Sequence, residues 1–295
     1  MDQAQNLRNI IRMQNASNTD GVKRARIITV TSGKGGVGKS SISINLAMQM
    51  RKLGKEVIIF DADFGLANIE VMFGAVPKYN LADMIYKGMG IKDILIKGPN
   101  EIGFISGGSG VAGLTNMTKD QVAYLIFKLQ ELETMADVII IDTGAGISDS
   151  VLEFVASSAE VLLVTTPEPT SITDSYALLK ALNTRNGYEK DNTVIKMIAN
   201  RVNDYDDGKA LFEKLSVVVN KFLNVNLEFL GFIPLDNNIA KSVIQQSPIS
   251  IAYPNSPGTK AFVELTEALL ENKQTEAPKK GLGQMFLKMF KNKNK

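Results

Sequence analysis

The chain has 295 residues, 44% of them hydrophobic and 22% charged, and its 33 Lys and Arg nearly balance 31 Asp and Glu for a formal net charge of +2. That length and apolar content can bury one large core, so a single domain with tails is expected, and the balanced charge gives no overall field suited to nucleic acid. Cysteine and histidine are both absent, which excludes disulfides, thiolate-bound iron–sulfur centres and His-based triads, and leaves carboxylates, lysine and backbone groups for any activation of water.

Met1 to Asn15 is polar and lacks the apolar run of a secretory signal. No apolar stretch approaches the roughly 20 residues needed to cross a bilayer, so a cytoplasmic protein is expected. The first strand-like run, Ile27 to Thr31, leads into a glycine-rich loop and an apolar-periodic helix near Ser41 to Leu53. Further strands are predicted at Val57 to Phe60, Ile102 to Ile105, Val138 to Ile141, Val161 to Thr165, Val194 to Ala199 and Phe229 to Ile233. Their β-branched runs are continuous rather than alternating, as in strands covered on both faces. The fold class is therefore α/β, a doubly wound and mostly parallel sheet with helices on both faces. Residues 1–21 read as a polar N-terminal segment, 22–272 as the body, and 273–295 as a charged, proline-containing linker with a short tail.

Gly33-Lys34-Gly35-Gly36-Val37-Gly38-Lys39-Ser40 follows the spacing Gly, four residues, Gly, Lys, Ser, between a strand and a helix. Glycines there let successive N–H groups turn inward, making a nest for phosphate oxygens at a helix N-terminus. Lys39 is placed to reach the β and γ phosphates of ATP and Ser40 to ligate Mg²⁺, with Ser41 completing the phosphate-binding set. The second strand ends in Asp61-Ala62-Asp63, at the edge where open α/β sheets bind ligands. Asp63 is the candidate for orienting the attacking water and Asp61 for holding a Mg²⁺-bound water. Val138-Ile139-Ile140-Ile141-Asp142 is an apolar strand ending in a carboxylate that would also hold Mg²⁺ through water, and Gly144 and Gly146 give the following loop freedom to rearrange.

The loop Lys-Gly-Gly-Val-Gly-Lys-Ser resembles the deviant phosphate loop of the MinD/ParA ATPases, and Phe60 to Asn68 resembles that family's first switch segment. The resemblance implies an ATP-dependent homodimer in which Lys34 reaches across to the partner's nucleotide, as an arginine finger does. It also implies that Asn200, Arg201 and the segment Pro234 to Asp236 contact adenine. Asp142-Thr143-Gly144-Ala145-Gly146 departs from the proline-containing second switch of MinD.

In the tail, Leu282, Met285, Phe286, Met289 and Phe290 recur at helical spacing on one face, surrounded by Lys279, Lys280, Lys288, Lys291, Lys293 and Lys295. Such a helix can lie in the headgroup layer of an anionic membrane, and MinD-type proteins end in a similar targeting helix. At the other end, Asp2-Gln3-Ala4-Gln5-Asn6-Leu7-Arg8 resembles an element of the flagellar-number regulators FlhG/YlxH. There it docks on FlhF, a signal-recognition-type GTPase, which implies partner roles for Asp2, Gln3, Ala4, Leu7 and Arg8. Components of the flagellar basal-body switch are further partners in that setting. The expectation is a slow ATPase switch, reversibly bound to the inner face of the membrane, that regulates flagellar number and placement. The rival readings are a MinD cell-division ATPase, a ParA DNA-segregation ATPase and a nucleotide-gated binding module with negligible hydrolysis. DNA binding is disfavoured because the clearest basic cluster lies on the tail rather than on the body.

Overall fold

A computed structural model describes residues 24–63, 68–108, 117–185, 188, 190–271 and 281–293. The N-terminal candidates Asp2, Gln3, Ala4, Leu7 and Arg8 lie outside the described residues, as do the side chains of Lys288, Met289 and Phe290.

Eight strands form one sheet: β1 (Arg26–Thr31), β2 (Val57–Ala62), β3 (Ile96–Lys97), β4 (Gly103–Ser106), β5 (Val138–Thr143), β6 (Glu160–Thr165), β7 (Val194–Val202) and β8 (Leu227–Pro234). Their order is β3-β4-β2-β5-β1-β6-β7-β8, and every neighbouring pair is parallel except β3 with β4. The expected doubly wound sheet is what forms; the two-residue antiparallel β3 is too short to leave a periodic signal. β1 lies between β5 and β6; the crossover that leaves β1 runs to β2 on one side, while the one from β5 passes to β6 on the other, and this divergence opens a crevice at the carboxyl end of β1.

Burial on both faces explains the strand composition. On one face, Ile28, Val30, Val57, Ile59, Val138 and Ile140 meet α1 (Lys39–Lys52), α2 (Asn68–Phe73) and, later in the chain, Phe262, Leu265 and Leu269. On the other, Ile58, Phe60, Ile139 and Ile141 pack with residues of α3 (Leu81–Lys87), α4 (Ile91–Ile94), α5 (Lys119–Glu133) and α6 (Asp149–Ser157). Farther along the same sheet, β6 and β7 pack with α6, α7 (Pro169–Asn183) and α8 (Tyr205–Phe222). The face under α1 is completed by α9 (Asn237–Ile244), α10 (Ile249–Ala252) and α11 (Pro257–Glu271).

The tail forms α12 (Leu282–Lys293), which lies against α5 and α6. Leu282, Met285 and Phe286, expected to face lipid, are instead fully buried core residues. The Phe286 ring meets Phe60 at 5.8 Å and Phe154 at 5.4 Å, both edge-on. The physical reason is that a groove between helices satisfies an apolar stripe as well as a membrane does. Two glycines permit the approach: a Cβ on Gly281 would stand 2.5 Å from Glu133 Oε1, and one on Gly283 would stand 3.1 Å from Gln130 Cγ. Each buried apolar side chain contributes about 1.5–3 kcal/mol, so the stowed helix is a substantial part of the core. Among the described residues, no helix is long and apolar enough to cross a membrane.

Replacing Phe286 with alanine is expected to cost about 3–5 kcal/mol of stability in urea unfolding of the nucleotide-free chain. A cost under about 0.5 kcal/mol, the range of a surface change, would show that the helix is not seated in this groove.

Candidate nucleotide site

The loop after β1 is built to leave a helix end open. Gly36 and Gly38 take φ of 75° and 99°, a left-handed backbone that residues with a Cβ rarely tolerate. Gly38 is the N-cap of α1, no side chain caps that end, and no acid stands in the first turn. The free N–H groups and the positive end of the helix dipole therefore face outward together. The loop begins tightly against α7, where a Cβ on Gly33 would stand 2.1 Å from the carbonyl of Asp174. Lys39 is buried and donates to Ser32 Oγ at 3.1 Å. Its burial lowers the ammonium pKa, and Asp142 and Asp63 oppose that shift.

Lys34 turns back onto its own chain, donating to Glu168 Oε2 at 2.5 Å and Thr170 Oγ1 at 2.7 Å at the start of α7. Glu168 is about half exposed, and Lys34 holds its carboxyl below the usual range, with Arg201 adding to the effect. A pair this exposed contributes little to stability, so Lys34 can exchange partners at small cost.

The expected carboxylates converge. β2 and β5 pair with Asp61 directly opposite Asp142. Asp142 is fully buried; Ser40 Oγ donates to its Oδ2 at 2.6 Å and Ser43 Oγ to its Oδ1 at 2.9 Å. Ser43 escaped the sequence analysis, although its place three residues after Ser40 on one helix face was a usable signal. Asp63 closes the group: its N–H donates to Asp61 Oδ1 at 3.0 Å, and its own Oδ1 lies 3.5 Å from where a Gly144 Cβ would stand. Burial, with the neighbouring Asp142 adding, pushes the Asp61 carboxyl up to about 8. Burial likewise pushes Asp142 up to about 6, against the two serine hydrogen bonds and Lys39.

Two atoms bear on what this site could hold. Asp61 Oδ2 and Ser41 Oγ are buried without a hydrogen-bond partner among the described residues. An oxygen-liganded cation at the carboxylates and a phosphate at the helix end fit both orphans. The residues present therefore suit a magnesium nucleotide: Ser40, Asp61 and Asp142 would serve the metal, and Gly33, Gly35, Gly36, Val37, Gly38, Lys39, Ser40 and Ser41 would serve the phosphates, whereas Lys34 is turned away onto Glu168 and Thr170.

A cavity of about 730 Å³ continues from the loop, with Asn200, Arg201, Pro234 and Asp236 in its lining. Val71, Met72, Ile239, Val243 and Phe262 supply apolar walls suited to an aromatic base. Asp236 shapes this wall by capping: Oδ1 accepts from Asn238 N at 2.9 Å and Oδ2 from Gly258 N at 3.0 Å.

Residues 23–270 match the ParA family under its description as NUBPL iron-transfer P-loop NTPase; a chain without cysteine has no thiolate on which to carry iron. The chain is 41% identical to the antiactivator FleN of Pseudomonas aeruginosa over 237 residues, covering 80% of this chain and 83% of FleN. It is 32% identical to the flagellum site-determining protein YlxH of Helicobacter pylori over 295 residues, 98% of each chain. Its fold matches the septum site-determining protein MinD of Pyrococcus horikoshii, solved with Mg-ADP, at a TM-score of 0.64 and 23% identity, covering 85% of this chain and 99% of that one.

The raised Asp61 pKa sets a pH dependence of definite sign. Between about pH 4 and 8 the folded, ligand-free chain keeps a proton that the unfolded chain has released, so this contribution to stability is full below pH 4 and is lost as pH rises toward 8. A divalent cation favours the ionised carboxylate, so Mg²⁺–ATP affinity is expected to rise from pH 6 to 8 with release of protons. Calorimetry in buffers of different ionisation heat measures that release; no dependence on the buffer would refute it.

Proposed function

From the premise that this chain belongs to the ParA/MinD family of P-loop ATPases, we propose that it is a nucleotide switch controlling the number and placement of flagella. Hydrolysis of ATP is its reaction, and turnover serves as a timer rather than as output. The observation that carries the reading is the gathering of Lys39, Asp61, Asp63 and Asp142 beside an uncapped helix end. Support for the flagellar context comes from the likeness to FleN and YlxH and from the N-terminal element Asp2 to Arg8.

Phosphoryl transfer needs positioning and neutralisation of charge more than strong bases. Lys39 would neutralise negative charge developing on the phosphate oxygens, and Asp63 would orient water for in-line attack. Magnesium, when bound, supplies further neutralisation at the phosphate oxygens. Lys34 leaves Glu168 and Thr170 and enters the site of a second copy when two chains close on two nucleotides. The loop Gly144 to Gly146 couples to this event, because Asp63 lies beside Gly144 and the Gly146 N–H is tied to Ser32 O at 3.0 Å.

Stowed against α5 and α6, the tail cannot reach lipid; released in the dimer, two tails bind an anionic membrane surface with avidity that one lacks. By sequence spacing Met289 and Phe290 would continue the apolar stripe, and Lys288 would supply charge. The N-terminal element then stimulates the signal-recognition-type GTPase FlhF, and flagellar basal-body switch components are further partners.

Lys34→Ala and Asp63→Ala are each expected to bind ATP while hydrolysing it about 10²-fold more slowly or worse, and Lys34→Ala is expected to stay monomeric in light scattering with ATP. Vesicles rich in anionic lipid should sediment the native chain with ATP and not with ADP. Deletion of residues 2–8 should abolish stimulation of the GTPase and leave ATP binding intact. Normal turnover in both point variants, or stimulation that survives the deletion, would overturn the corresponding assignment.

A further inference from the structure

Asn200 and Arg201 line the cavity expected to hold adenine, and one donor atom of each is turned onto the phosphate loop. Asn200 Nδ2 donates to Val37 O at 2.7 Å and Arg201 Nη2 donates to Gly36 O at 2.8 Å. These are consecutive carbonyls of the phosphate loop, lying immediately before Gly38. We propose that Asn200 and Arg201 are positioning residues that set the phosphate loop for triphosphate before any base is bound.

The peptide group supplies the reason. In a planar trans peptide the C=O and N–H bonds point in opposite directions, and the chain has no cis peptide among its described residues. Holding the Gly36 carbonyl toward β7 therefore turns the Val37 N–H away from it. Holding the Val37 carbonyl does the same for the Gly38 N–H. Two side chains on one strand end thus fix two of the donors that a phosphate nest needs.

Three further features of β7 serve this grip. The pairing of β7 with β8 slips between Asn200 and Val202, so Arg201 is the extra residue of a bulge, a device that re-aims a side chain. Arg201 also carries φ of 60°, a left-handed conformation that costs a non-glycine residue energy. It is held there by its own N–H, which donates to Asn200 Oδ1 at 2.9 Å. Asn200 is 6% exposed and fits so closely that a Cβ on Gly38 would stand 2.6 Å from its Nδ2. Gly38 is accordingly fixed as glycine by its neighbour as well as by its backbone angle.

A ligand without a base separates positioning from base recognition. Binding of Mg²⁺–tripolyphosphate and of Mg²⁺–ATP to the full chain would be measured by calorimetry for the native protein, Asn200→Ala, Arg201→Gly and Arg201→Lys. Glycine takes the left-handed backbone freely, so Arg201→Gly removes the donor without adding strain. Asn200→Ala and Arg201→Gly are expected to weaken both ligands by the same factor, about 3- to 10-fold for one lost hydrogen bond. Arg201→Lys, which can still donate to Gly36 O, should recover part of the loss. The proposal is overturned if only ATP binding weakens, if neither ligand is affected, if lysine rescues nothing, or if the native chain fails to bind tripolyphosphate at all. Should Asn200→Ala fail to fold, the exposed Arg201 variants decide the matter alone.

Discussion

A helix whose first turn has no side-chain cap must find its hydrogen-bond acceptors outside the chain, and the rest of this protein is arranged around that demand. The open end of α1 faces the crevice beside β1, where neighbouring crossovers diverge. Gly33 lets the loop sit directly on the backbone of α7, and Gly36 and Gly38 give the angles that turn amides outward.

The acids beside the loop carry the opposite tension. Asp61 and Asp142 face each other across paired strands, where burial disfavours two charges at once. Serines relieve Asp142, whereas one oxygen of Asp61 has no partner among the described residues. Burial thus favours a proton on Asp61, which a divalent cation would displace. Positive loop and negative strand ends thus stay close without collapsing onto each other, because Lys39 is anchored on Ser32 and Lys34 on Glu168 and Thr170.

Local features were legible in the sequence, and distant ones were not. The phosphate loop, Asp61, Asp63 and Asp142 could be placed because each is defined by a few consecutive residues at a strand end, where the fold leaves little choice of position. Glu168 and Thr170 were missed because they meet Lys34 only after 134 and 136 residues of intervening chain. The amphipathic tail showed the limit of periodicity: it says that a helix has an apolar face, and not which apolar surface meets it. Gly283 held the missing information, since glycine within a helix costs about 1 kcal/mol and is repaid where another helix comes close. Asn200 and Arg201 were assigned to the base through resemblance, and only the bulge in β7 shows how their side chains are turned onto the loop.

Phe60 and Asp61 are neighbours on β2 that point to opposite faces of the sheet. The first presses its ring on Phe286 of the stowed tail; the second stands beside Asp142 at the nucleotide site. Withdrawal of the tail would leave a ring-sized void behind the strand that carries Asp61. Anything that shifts this stretch of backbone is felt on both sides, and the lever joining them is a single peptide unit long.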